Sequence, residues 1–189
     1  MDTKKLLQEL RVVVEEQQQR ARAIRAMDPR RLQHRTAPDQ WTVLEVFEHL
    51  VLSSGVYSRG LRRAFDKDVP AKPFDAVFSP GMLGNYFTKG MLPDASGGLR
   101  FRMRTMRMFD PAKQTGASLA SIDRFIALCD DLLGLLEEAG GRNLNKLKVV
   151  SSLGWIVRFK AGDAFRFPIA HQQRHFLQIE RILASSMGA

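Results

Sequence analysis

Four stretches of the chain place apolar residues at the 3.6-residue period of a helix, and one fifty-residue interval between the second and third does not. The pattern predicts an all-α fold, an antiparallel four-helix bundle with a long crossover connection between helices 2 and 3. In the first stretch, about residues 3–27, Leu6, Leu10, Val13, Val14, Gln17, Ala21 and Ile24 fall on one side of the wheel. Asp28-Pro29 ends it, because a residue before proline is pushed out of the helical region. The second begins after Trp41 with Thr42-Val-Leu-Glu45, a capping box, and a stripe from Val43 and Val46 to Leu61 and Phe65 carries it to about 66. The third covers about 117–139 and stops at Gly140-Gly141. The fourth covers about 163–186, with Pro168 either in its first turns or marking where the regular part begins. Residues 142–162 are mixed, and Trp155-Ile-Val-Arg-Phe fits an extended segment or a helical turn.

The interval 67–116 holds five of the eight prolines and six of the fourteen glycines. Long stretches without periodicity are unusual in a compact domain and often functional. Its hydrophobic residues, among them Val77, Phe78, Met82, Leu83, Tyr86 and Met91, are expected to pack over the bundle. Leu-Arg-Phe-Arg-Met-Arg at 99–104 alternates as one short strand would.

At 189 residues, with 44% hydrophobic and 26% charged side chains, the chain suits a single domain over 1–189 with a core that needs no covalent staples. The one cysteine, Cys129, excludes a disulfide framework and a Cys-rich zinc module, and it sits in the apolar stripe of the third helix as core. No apolar stretch approaches the ~18 residues that span a bilayer. The start, MDTKKLLQEL, lacks the apolar run of a signal peptide, so the expected location is the cytoplasm. The 29 Lys and Arg against 20 Asp and Glu leave a net charge of +9. That excess supports a competing reading, a basic nucleic-acid-binding or regulatory protein, with Arg100, Arg102, Arg104 and Arg107 as its densest run. The bases are otherwise spread and interleaved with acids, as on a solvated surface, and no specific nucleic-acid partner is expected.

The chemistry lies with the histidines: His34, His49, His171 and His175. The last pair, in AHQQRHFLQIERIL, has the four-residue spacing that puts both imidazoles on one helix face, roughly 5–6 Å apart at Cβ. They fall at the border of the apolar face, where bundles place internal cofactor sites. Two histidines make a weak site, and His49, flanking the inward stripe of the second helix, is the candidate third ligand; His34 has no periodic partner. Position 172 is Gln, so the His-Glu-x-x-His metalloprotease signature is absent. Imidazole suits Zn, Ni, Cu and Fe.

Trp41-Thr-Val-Leu-Glu-Val-Phe-Glu-His49-Leu together with His171-Gln-Gln-Arg-His175-Phe-Leu-Gln178-Ile, about 120 residues later, resembles the two signatures of the DinB-like superfamily of helical-bundle metalloenzymes. The order of helix, Trp/His helix, long connection, helix and His-x-x-x-His helix is similar over nearly the whole chain. The resemblance implies that His49, His171 and His175 hold a divalent ion (Zn, Ni or Fe) with open positions for water or substrate. It also implies a homodimer and a small-molecule substrate, handled with a low-molecular-weight thiol by a thiol-S-transferase or with water by a hydrolase. It implies no catalytic residue beyond the metal ligands. The 67–116 interval departs from the family pattern and is expected to shape the pocket mouth. Glu45, four before His49, is either an orienting partner of that imidazole or half of the capping box, which explains it better. Gln178 reads as a neighbour of a metal-bound water or as a polar bundle residue. Trp41 and Trp155 read as packing anchors.

Overall fold

The structure, a computed structural model, describes residues 1–68, 74–92, 105–113 and 116–186. It is mostly helical: α1 (Thr3–Arg25), α2 (Pro29–Leu32), α3 (Val43–Asp66), α4 (Met82–Met91), α5 (Leu119–Ala139) and α6 (Ala161–Ser185), with a hairpin of β1 (Lys148–Ser151) and β2 (Gly154–Lys160) leading into α6. The four long helices lie within a residue or two of the predicted spans. Asp2 caps α1 by accepting from the Lys5 amide at 2.7 Å. The capping box of α3 is complete, with the Glu45 amide donating to Thr42 Oγ1 at 3.2 Å and the Thr42 amide to Glu45 Oε2 at 2.7 Å. Phe47, Phe125 and Phe176 meet edge-on or tilted at the centre, their centroids 5.3 to 5.9 Å apart, and join α3, α5 and α6 in one core.

Cross-helix pairs fix the running directions. Arg11 meets Glu137 and Arg25 meets Asp123, so α1 and α5 are antiparallel. Ser54 meets Gln172 and Phe65 meets Phe165, so α3 and α6 are antiparallel. Glu48, however, receives Ser121 and Arg124, while Arg62 reaches Glu138, so α3 and α5 run parallel. The 24 residues of α3 span about 36 Å, and the chain must return that length before α5 can start. The irregular interval is this return path.

Part of the interval is helical, which the sequence pattern did not predict. In α4, Gly84 and Gly90 and the outward Met82, Leu83 and Tyr86 hide the period. Gly84 lets α4 press onto α6: a Cβ there would stand 2.5 Å from Asp163 Cγ. The buried Asp163 carboxylate accepts from the Gly81 amide at 2.7 Å and from Arg166, whose other Nη donates to Asn85. The expectation that the interval's hydrophobic residues pack over the core holds for Phe78 and Met91, whereas Met82 is 87% exposed. The strand expected at 99–104, with Arg100, Arg102 and Arg104, lies outside the described residues.

Within residues 142–162, turns lead into the β-hairpin of β1 and β2, and 155–159 are extended. Tyr57 of α3 anchors its turn, the hydroxyl sharing hydrogen bonds with Ser151 and Ser152 Oγ and accepting from the Ser152 amide at 3.1 Å. Pro168 sits inside α6, removing one helical amide at the level where the helix faces the cavity described next. Among the described residues, no helix is long and apolar enough to cross a membrane.

Candidate metal centre

His49 stands two turns into α3, and His171 and His175 stand one turn apart on the part of α6 that faces it. Their ligating atoms all lie within 4.8 Å of one another. His171 Nε2 is 3.1 Å from His175 Nε2 and 3.4 Å from His49 Nε2. His49 is 4% exposed and His175 9%. The three histidines singled out from the sequence are thus brought together, and His34 is outside the cluster.

What holds the rings differs from the sequence reading. His49 Nδ1 lies 2.8 Å from the Phe109 carbonyl oxygen. A carbonyl only accepts, so Nδ1 carries the proton and Nε2 keeps a bare lone pair. His175 Nδ1 likewise donates to Gln178 Oε1 at 2.8 Å. Glu45 is not the partner of His49; it serves the Thr42 cap and an ion pair with Arg35. The Phe109 carbonyl comes from a 3₁₀ turn (Arg107–Phe109) in the return path, and a backbone acceptor sixty residues away leaves no mark in sequence. Gln178, read from the sequence as a neighbour of a metal-bound water or a polar bundle residue, accepts from the His175 imidazole.

The surroundings keep the imidazoles neutral. Burial, and after it the neighbouring His49, pushes His175 down to about 3. Burial, then His175 and His49, sets His171 well below the ordinary imidazole range. His49 is lowered by burial against the opposing pull of the Phe109 carbonyl and Asp110. Trp41, half-buried, covers the cluster with its ring 5.0 Å from that of His49 and 6.2 Å from that of His175. Phe167 stacks on His171 from the other side.

Two bare Nε2 lone pairs therefore face a third Nε2 that can offer one hydrogen at most. A cation satisfies all three at once. Nitrogens bonded to one zinc at ~2.1 Å in a tetrahedron lie roughly 3.4 Å apart, close to the separations found. The donor set, its protonation and its second contacts fit a divalent ion. A cavity of about 110 Å³ opens beside the rings, walled by Met91, Phe109 and Phe167 and edged by Ser53, Tyr57 and Arg174. Cys129 takes no part: it is buried in the core, where burial raises its thiol to about 12.

These features define a helical protein with a three-histidine cluster able to bind a metal ion beside a small, mostly apolar cavity. The model of the DinB superfamily matches residues 13–179, and the chain belongs to that superfamily. No curated protein and no solved structure matches the chain.

Proposed function

We propose that the chain is a metal-dependent enzyme of the DinB type, in which His49, His171 and His175 hold one Zn, Ni or Fe ion and activate a thiol or water for transfer to, or hydrolysis of, a small molecule. The observation that supports this most directly is the pair of outward Nδ1 donations, which aim bare Nε2 lone pairs at one point. Bound there, a divalent ion supplies a Lewis acid that lowers the pKa of a coordinated thiol or water toward neutrality. The chain's own part is to hold and orient. The Phe109 carbonyl and Gln178 lock two rings, and Trp41 and Phe167 restrict water on either side of the cluster. The neutral imidazoles need no deprotonation at physiological pH before they ligate. With this reading go a four-helix bundle formed by α1, α3, α5 and α6 with the long crossover between α3 and α5, one domain over 1–189, and a cytoplasmic site of action.

The test is metal analysis of the purified protein. About one divalent ion per chain is expected, lost in His171→Ala and in His175→Ala while helical circular dichroism is retained, since these side chains lie at the border of the core. Full occupancy in the double variant would show that the ion sits elsewhere.

A further inference from the structure

Arg174 lies on α6 between the two histidines of the cluster, and it lines both the histidine cavity and the wider cleft outside it. Its Nη1 is buried and has no hydrogen-bond partner among the described residues. Among the described residues no other arginine has a buried nitrogen without a partner. Of the other half-buried arginines, Arg142 is held by Asp68 and Glu138, Arg166 by Asp163, and Arg31 by Ser186 and the Leu183 carbonyl. Asp39 lines the outer cleft but makes no ion pair with Arg174 among the described residues. A buried, charged N–H without an acceptor costs free energy that a ligand can return.

We infer that Arg174 receives a carboxylate of the substrate in the cavity beside the three histidines. The inference rests on the metal reading for the identity of the site and goes beyond it in naming the substrate class. Charge balance points the same way. Three neutral imidazoles leave the two positive charges of a divalent ion uncompensated, Arg174 adds a third, and no carboxylate lines this cavity among the described residues. A ligand here is therefore anionic. A carboxylate fits better than a phosphate for two reasons. The guanidinium is the one permanently charged cation in the described lining, and its planar edge matches two coplanar oxygens. Two of the lining hydroxyls that a phosphate cradle would use are already engaged: Ser53 donates to the His49 carbonyl, and Tyr57 is tied to the hairpin turn.

The experiment uses the full chain and two isosteric probes, 3-mercaptopropionate and 3-mercaptopropanamide, titrated calorimetrically into the zinc-loaded protein. The acid should bind about tenfold or more tightly than the amide, as charge-assisted bidentate pairing implies. Arg174→Met should abolish that preference and Arg174→Lys should keep part of it, with zinc stoichiometry and circular dichroism unchanged in both. In parallel, propionate and propanamide are titrated into the chelator-treated protein, following the Arg174 side-chain N–H signal by NMR. Zinc uptake with equal affinity for acid and amide, or with no binding of the acid, overturns the carboxylate site and leaves the metal reading standing. A propionate shift that needs Arg174, in a protein that takes up no zinc, does the reverse.

Discussion

His49 Nδ1 donates to the Phe109 carbonyl oxygen at 2.8 Å, and this bond joins the third helix to the far end of the chain's return path. It explains why the long connection matters to the site. Because α3 and α5 run parallel, the chain must travel back past His49, and the passing backbone supplies the acceptor that fixes its tautomer. Gln178 does the same for His175 from within α6.

Gln178→Leu shortens the side chain by one atom and removes the acceptor. Loss of such an orienting contact typically weakens metal binding by about 10–100-fold, and that range is expected here with the fold intact. Gln178→Glu should retain the affinity. Competition against a chelator of known strength reads both, and an unchanged affinity in Gln178→Leu would remove the orienting role.

Acid should destabilise the metal-free protein earlier than carboxylate titration alone would. Burial holds His175 at about 3 in the folded chain against 6.5 for a free imidazole, and His49 and His171 are also lowered. Below pH 6.5 the unfolded chain takes up protons that the folded chain refuses. Stability is therefore full above that pH and falls as pH drops, by ~1.4 kcal/mol per pH unit for each such group. Urea unfolding at pH 7.5 and 5.5 measures the loss. His175→Gln should reduce it by about 1.4 kcal/mol, a mean of about half a proton over that span; an identical loss in the variant would contradict the assignment.

How much of this was legible in the sequence follows from where the forces act. The long helices showed because their buried faces repeat every 3.6 residues and their ends carry local chemistry, as in Thr42 and Glu45. The cluster showed because His171 and His175 share a helix face and His49 flanks an apolar stripe. The short helix α4 did not, since it docks through Gly84, a missing side chain, and turns Met82 outward. Nor did the hairpin, whose turn is held by Tyr57, almost a hundred residues earlier. The Phe109 carbonyl was illegible in principle, because every residue has one.

Two glycine substitutions should move stability in opposite directions. In Gly84→Ala the new Cβ would meet Asp163 atoms at 2.5 to 2.7 Å, so α4 must lift from α6 at a cost of about 1–3 kcal/mol. Gly134, inside α5, has nothing within 4 Å of the same position, and Gly134→Ala should stabilise by about 0.5–1 kcal/mol through helix propensity. Shifts of the urea midpoint in the same direction would refute the packing argument.

The excess positive charge should not make this a specific nucleic-acid reader. Several of the bases are paired with acids of the same chain: Arg20 meets Glu180 at 2.5 Å, Arg35 meets Glu45 at 2.8 Å, and Arg62 meets Glu138 at 2.6 Å. These pairs are spread over α1, α3, α5, α6 and the connection before α3. Binding through phosphates alone weakens steeply with salt because it is driven by counterion release. DNA or RNA should therefore bind weakly at low salt and be released at about 150 mM, whereas specific readers hold their sites near 10⁻⁸ M or tighter under such conditions. A fluorescence titration across salt concentrations decides it. Sequence-selective binding in that range would promote the Arg100–Arg107 run to the functional surface and reduce the three histidines to structure.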